Sequence, residues 1–422
     1  MTILKRLRKR KWMIKALLGS SFSEKRNILR GYKQKKKYFT ATEVQADIKN
    51  LIYCALCPNM CRFDCPAVQA TKKETHSPAT KARIAYYLEM NRLEKTPENI
   101  MPIFEGCVHC SGCKIWCPFD FAVGDLLEGV SADLFQEQAL PDSLLNFSER
   151  IRKNDGLYNP EKYTTSQKIL EELTSGEIYY FPGCVTMGNN SKVITNIKKI
   201  AEIAEIALKS DSERKVCCGA PTIYLGDIEK AKNLAQQNYD LIKKANIKAI
   251  ICECPECMYT LKEHYPKLGF NLNVPIYHIS EWIFSLINNG KISLQKDVES
   301  NNNIQYPISY HDPCVLSRKL GVIEAPYQIM KEIFSDNFIE ATNSKELTHC
   351  CGFGGLVNIV NPDIANKISQ NRLEEFSKQG IKTIITSCPT CWYSFMKNNK
   401  ELHFEILDLL EIVIDYIIKK KN

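Results

Sequence analysis

At 422 residues the chain is too long for one ordinary core and short enough for two or three domains, which places a division in its middle third. A hydrophobic content of 44% is that of a globular protein, and nineteen cysteines bunched as C-x2-C repeats in so long a chain exclude a disulfide-stapled scaffold and point to metal in a reducing cytosol. The net charge of +8 is uneven: residues 1–37 hold 14 Lys/Arg against one Glu, leaving 42 against 47, or −5, for the remainder.

Residues 1–50 form a basic N-terminal segment with KRLRKRK at 5–11, KQKKK at 33–37 and Ile3, Leu4, Leu7, Trp12, Ile14, Leu17 and Leu18 among them. That mixture predicts a basic amphipathic helix, suited to peripheral contact with an anionic membrane surface or a membrane-bound partner. Nucleic acid is disfavoured, because the basic runs lack aromatic interleaving. The apolar run Trp12–Gly19 is too short for an export signal, and acidic residues break the run at Ile412–Ile418 far below the roughly 20 residues needed to span a bilayer. The expected location is the cytoplasm, at most peripheral to the cytoplasmic face of a membrane.

Residues 51–130 carry two cysteine clusters separated by Lys81–Leu93, a stretch of helix formers without a breaker. Residues 131–176 are mixed and polar, with Asn154, Gly156 and Asn159-Pro160 marking a loop, and are read as a linker. Beyond it the chain repeats itself. Cys184, Cys217-Cys218-Gly219 and Cys254-Pro255-Glu256-Cys257 recur as Cys314, Cys350-Cys351-Gly352 and Cys388-Pro389-Thr390-Cys391, at offsets of 130, 133 and 134 residues. Such self-similarity indicates duplication of one unit, bounded here at 177–295 and 304–415. Strands are expected at Ile178–Phe181, Lys248–Cys252, Ile308–His311 and Thr383–Thr386, and helices at Ile228–Ala245 and Asp363–Lys378. Alternation of this kind predicts α/β units with parallel sheets, whose sites lie at strand ends.

The run Cys107-x2-Cys110-x2-Cys113-x3-Cys117-Pro118 matches the ferredoxin pattern, in which three thiolates hold one [4Fe–4S] cubane and the fourth ligates its neighbour. Cys54-x2-Cys57-x3-Cys61-x3-Cys65-Pro66 has one residue more between its second and third cysteines. With ligand exchange one cubane takes Cys54, Cys57, Cys61 and Cys117, and the other Cys107, Cys110, Cys113 and Cys65. Two four-thiolate zinc sites are the competing reading. Each later repeat offers five cysteines with two adjacent, one more than a tetrahedral site or a cubane needs. Cys252 alone falls outside the clusters and is read as a small buried hydrophobe at a strand end.

Two ferredoxin motifs followed by Cys-x(n)-Cys-Cys-Gly-x(n)-Cys-x-x-Cys, twice, resemble the catalytic polypeptide of the heterodisulfide reductases over residues 50–415. The resemblance implies an α+β multidomain chain, with an N-terminal α-helical ferredoxin-like domain (51–130) followed by two duplicated α/β cysteine-rich CCG units. It implies two non-cubane [4Fe–4S] clusters, one on Cys184, Cys217, Cys218, Cys254 and Cys257 and one on Cys314, Cys350, Cys351, Cys388 and Cys391, which together cleave a disulfide. Related iron–sulfur subunits of glycolate, lactate and anaerobic glycerol-3-phosphate dehydrogenases, with repeats often incomplete, imply an alternative: an electron relay from a flavoprotein to a quinone. Both repeats here are complete, which favours disulfide chemistry. No G-x-G-x-x-G follows a strand, so a separate redox partner, either a flavoprotein or a membrane cytochrome, is expected.

Three further residues are candidates for catalysis. His311, in His311-Asp312-Pro313-Cys314, and His349, before Cys350, suit proton donation; Arg318 suits an anionic substrate. The competing reading of His311 and His349 is support of the cysteine loops. The disulfide is expected between the repeats, bounded by the Cys184 and Cys314 loops.

Overall fold

A computed structural model describes residues 46–211, 217–297 and 304–418, with four isolated positions (19, 21, 25 and 26) before them. The proposed basic amphipathic helix falls almost wholly outside the described residues.

Up to residue 170 the described chain is helical. Its helices Ile48–Ala55, Pro66–Thr71, Pro78–Glu89, Pro97–Glu105, Gly112–Trp116 and Val123–Gln136 are mostly short, and three of them start at a proline. Proline suits the first helical position because its fixed φ is already helical and the missing N–H would have had no partner there. Pro78 therefore starts the helix expected from Lys81, and the left-handed Asn91 (φ 49°) stands just past its end. The helix Pro97–Glu105 was not anticipated; Thr96-Pro97 was its start signal.

The segment 131–176 is not a linker. Helices Asp142–Asn154 and Thr164–Leu170 occupy much of it, and the loop is confined to the few residues around Asp155–Asn159. Polar composition concealed an amphipathic period: Leu144, Phe147 and Ile151 face the core. The adjoining edge is fastened to the first repeat. Arg152 donates to both carboxylate oxygens of the buried Asp227 (Nε to Oδ2 2.7 Å, Nη2 to Oδ1 2.6 Å), and the Ser148 hydroxyl adds a third hydrogen bond.

Two parallel sheets follow. In the first, β1 (Ile178–Tyr180), β2 (Leu208–Lys209), β3 (Ala249–Cys252) and β4 (Ile276–His278) lie in the order β2-β1-β3-β4. A short antiparallel pair joins β5 (Ser293–Leu294) to the C-terminal Ile417–Ile418. In the second sheet β6 (Ile308–His311), β7 (Thr383–Thr386) and β8 (Glu405–Asp408) lie in the order β6-β7-β8. β1, β3, β6 and β7 fall where the apolar runs predict strands, β2, β4 and β8 add strands that no such run marked, and helices Ile228–Lys244 and Pro362–Lys378 occupy equivalent crossovers. Ile364, Ile368, Leu373 and Phe376 of the latter are buried, each burial contributing roughly 1.5–3 kcal/mol.

The repeats pack against each other and against the helical part. One core joins Ile194, Ile197, Ile251 and Ile283 of the first repeat to Ile308, Ile333, Ile385 and Val413 of the second. Another joins the N-terminal helices to the first repeat, and a third places Cys65, Val68, Val108 and Cys110 among second-repeat residues. At the centre His278 Nε2 faces the carbonyls of Glu253 (3.2 Å) and Ser387 (3.1 Å), one from each repeat. Among the described residues no helix is long and apolar enough to cross a membrane.

Candidate functional site

The helix ends bring the eight N-terminal cysteines into two sets. Cys54, Cys57, Cys61 and Cys117 line one small cavity, and Cys65, Cys107 and Cys110 line a second, with Cys113 at the edge of both. Exchange of the fourth ligand would place Cys117 with the first set and Cys65 with the second, and each of these two cysteines precedes a proline.

Crowded thiols push each other's ionisation upward. Burial, followed by Cys57, Cys65 and Cys117, drives the Cys61 thiol up to about 12, and Cys54 is raised by burial and by Cys61, Cys57 and Cys117. A group bearing several positive charges would relieve both burial and repulsion, so the residues fit an iron–sulfur group. The backbone adds donors: Val123 N–H lies 3.3 Å from Cys113 Sγ. Lys81 is buried, donates to the Gly106 carbonyl and remains charged despite its burial because Cys107, Cys65, Cys113 and Cys110 surround it. Sequence reasoning passed over Lys81 as a helix former.

The ten repeat cysteines converge on one place. All of them line a single cavity of ≈310 Å3 between the repeats. Cys184 opens a helix just beyond the end of β1 and Cys314 follows β6, while Cys254 and Cys388 sit at helix N-caps with proline next. Gly219 (φ +98°) and Gly352 (φ +91°) turn the chain after each cysteine pair in a left-handed conformation that side chains disfavour. Gly352 N–H lies 3.3 Å from Cys350 Sγ, and the Cys314 and Cys350 sulfurs are 3.9 Å apart. No disulfide forms among the eighteen clustered cysteines. Cys252 is buried at the end of β3, away from the cavity lining.

His311 is wholly buried, and one of its ring nitrogens, Cys351 Sγ and Cys391 Sγ lie within 4.8 Å of one another. Burial pulls it down to about 4 against the opposing pull of Cys351. The set could hold a metal ion. Arg318 and His349 do not line the cavity. Arg318 donates from Nε to the Cys110 carbonyl (2.6 Å) and from Nη1 to the carbonyls of Thr348 (2.5 Å) and Glu346 (3.1 Å). His349 bridges Glu375 (Nδ1, 2.5 Å) and Asp64 (Nε2, 3.2 Å); burial opposes its charge, but these two carboxylates raise it to about 9. Both residues therefore join the second repeat to the N-terminal domain. The cations that do line the cavity are Arg150 and Lys397, neither singled out by motif.

Comparison with known proteins assigns these segments to known families. Residues 178–262 and 308–396 match the cysteine-rich domain family CCG, and residues 50–121 match a 4Fe-4S dicluster domain. The chain is 24% identical over 320 residues to one of the subunits of dihydromethanophenazine:CoB–CoM heterodisulfide reductase from Methanosarcina mazei, covering 74% of this chain and 77% of that one. It is 28% identical over 290 residues to one of the subunits of fumarate reductase (CoM/CoB) from Methanothermobacter marburgensis, covering 68% and 55%. Over 182 residues it is 30% identical to EtfAB:quinone oxidoreductase of Syntrophomonas wolfei, covering 42% and 24%.

Proposed function

Since this chain belongs to the CCG-type iron–sulfur proteins, with a 4Fe-4S dicluster domain ahead of two cysteine-rich domains, we propose that it is an oxidoreductase subunit that reduces a disulfide between its two repeats. The observation that carries this is the lining of one cavity by all ten repeat cysteines.

In this reading Cys54, Cys57, Cys61 and Cys117 hold one cubane, and Cys65, Cys107, Cys110 and Cys113 the other. Cys184, Cys217, Cys218, Cys254 and Cys257 hold one non-cubane cluster, and Cys314, Cys350, Cys351, Cys388 and Cys391 the second. Those groups supply one-electron carriage. The chain supplies the geometry: a disulfide takes up two electrons and two protons to become two thiols, so two one-electron sites opening on one cavity suit it. Arg150 and Lys397 at the lining suit an anionic substrate, the role first assigned to Arg318.

Viologen-driven reduction of small disulfides by anaerobically prepared protein tests the reading. Release of two thiols per disulfide, with a thiol-sensitive paramagnetic signal, is expected; viologen oxidation that depends on a quinone, without thiol release, contradicts it. That second outcome is the relay reading, favoured by the similarity to EtfAB:quinone oxidoreductase.

A further inference from the structure

The two cysteine-rich units share a backbone plan but meet the N-terminal domain differently. The Cys110 thiol, from the second N-terminal set, and the Cys350 thiol of the second unit lie close enough for each to govern the other's ionisation, lowering Cys110 and raising Cys350. Three differences between the repeats surround that contact. Gly354 and Gly355 stand where the first repeat has Pro221 and Thr222. A Cβ at Gly354 would collide with the Val108 carbonyl, and one at Gly355 would come within 2.5 Å of the Cys107 carbonyl. Arg318 stands where the first repeat has Gly188, and its half-buried guanidinium carries its charge beside Cys110, Cys314 and Cys350 while its Nε binds the Cys110 carbonyl. His311 stands where the first repeat has Phe181.

The His311 proton can be placed. Arg372 Nε, which can only donate, faces His311 Nδ1 at 3.4 Å, so the ring proton sits on Nε2. Nε2 has no nitrogen or oxygen partner, and the ring lies beside the Cys351 and Cys391 sulfurs. The first unit meets the same N-terminal loop through rings: His109 packs on Tyr224 with centroids 4.2 Å apart.

Resting on the cluster assignment above, we infer that the second cysteine-rich unit is the port through which electrons enter the pair, and that Arg318 and His311 make it the easier of the two to reduce. A cluster held by Cys65, Cys107, Cys110 and Cys113 would pass one electron to a cluster held by the Cys314–Cys391 set, and the first unit would be filled afterwards, across the cavity. A second passage completes the two electrons that a disulfide takes up with two protons. A one-electron donor protein supplies them. A guanidinium and an N–H beside ligand sulfur both stabilise added negative charge, and the effect weighs most at His311, which is wholly buried. Gly188 and Phe181 supply neither. Arg318 and His311 act here as positioning and tuning residues.

The test is an anaerobic dithionite titration of the holoprotein, followed by electron paramagnetic resonance with 15N-labelled histidine. The first non-cubane signal to appear is expected to carry the histidine nitrogen coupling, which His311→Phe removes while moving that signal alone to lower potential. Arg318→Gly is expected to lower the second unit and its neighbouring cubane together and to leave the first unit in place, and Arg318→Lys to restore most of the shift. The inference is overturned when the coupled signal appears last, or when both units shift equally. If Arg318→Gly does not fold, the labelled native protein still decides the order. Iron counts on the same sample separate the two levels: about sixteen irons with the order reversed overturns this inference alone, and about eight overturns the cluster assignment on which it rests.

Discussion

Where β1 runs into Cys184 the chain reads Phe181-Pro182-Gly183, and where β6 runs into Cys314 it reads His311-Asp312-Pro313. The cysteines, the left-handed glycines and the parallel strands coincide, while the residues around them have diverged toward their neighbours. In the first repeat, docking depends on helices: Gly226 lies against the Ser131 backbone, and Asp227 receives Arg152. In the second, the helix Pro362–Lys378 packs on Pro66–Thr71 and the cysteine loops themselves dock as well, by Gly354, Gly355, Arg318 and the His349–Asp64 pair. Duplication kept the cysteines and changed what they touch. Two sites with the same donor set can therefore differ in reduction without losing a single cysteine.

The largest effect is expected from Gly226→Ala. Gly226 has φ +91°, and an added Cβ would run into the Ser131 carbonyl. The combined strain and overpacking should remove about 3–5 kcal/mol from the docking of the first repeat, read by denaturant unfolding. Gly269→Ala, with φ +96° but open space, is the control and should lose only about 1 kcal/mol. Equal losses at the two positions would show that backbone strain alone, not docking, is what Gly226 relieves.

Arg152→Ala comes next. It leaves the Asp227 carboxylate, which is buried and also caps the helix Ile228–Lys244, without its cation. Roughly 2–4 kcal/mol should be lost, and Arg152→Ala with Asp227→Asn together should lose less than the sum. Additive losses would contradict the pairing.

Acid and base should separate the repeats. His278 and Asp408 occupy the same N-cap in the two units. Burial lowers His278 from 6.5 to about 4, so its contribution is present above pH 6.5 and is lost as pH falls through 4. Burial raises Asp408 from 3.8 to about 8, so its contribution is present below pH 3.8 and is lost as pH rises through 8. Asp408→Asn keeps an acceptor at the cap and cannot ionise. Its melting temperature should gain on the native protein between pH 6 and 9; a difference independent of pH would remove Asp408 from the account.

The smallest effect is expected at Lys192, whose ammonium reaches Glu411 (2.6 Å) across the repeats with 66% of its side chain exposed. Lys192→Ala should change stability by no more than about 0.5 kcal/mol in thermal melts. A larger loss would mean that the joint between the repeats leans on its surface as well as on its core.

Much of this arrangement can be read from residue spacing. Strands such as Thr383–Thr386 are apolar runs stopped by a Cys-Pro, and the repeat offsets carry the duplication and both five-cysteine sets. The eight N-terminal cysteines stand in two runs in the sequence, and Cys117 of the second run lines a cavity with Cys54, Cys57 and Cys61 while Cys65 of the first lines one with Cys107 and Cys110. What stayed hidden depends on long-range contact. Arg318 looks like a substrate ligand from its place after Cys314, and only the fold brings the Cys110 carbonyl to it. His349 looks like a proton donor until Asp64, 285 residues earlier, occupies it. The helix Asp142–Asn154 was obscured by its polar face, although Leu144, Phe147 and Ile151 carried the period. The mismatch of Gly354-Gly355 with Pro221-Thr222 was visible on aligning the repeats, but its meaning lies in the backbone pressed against it.

The four thiol sets would each hold a four-iron cluster in the function proposed above. Iron and acid-labile sulfide counts on anaerobically prepared protein test that most directly. About sixteen of each per chain is the predicted result; about eight, or zinc without sulfide, would contradict it.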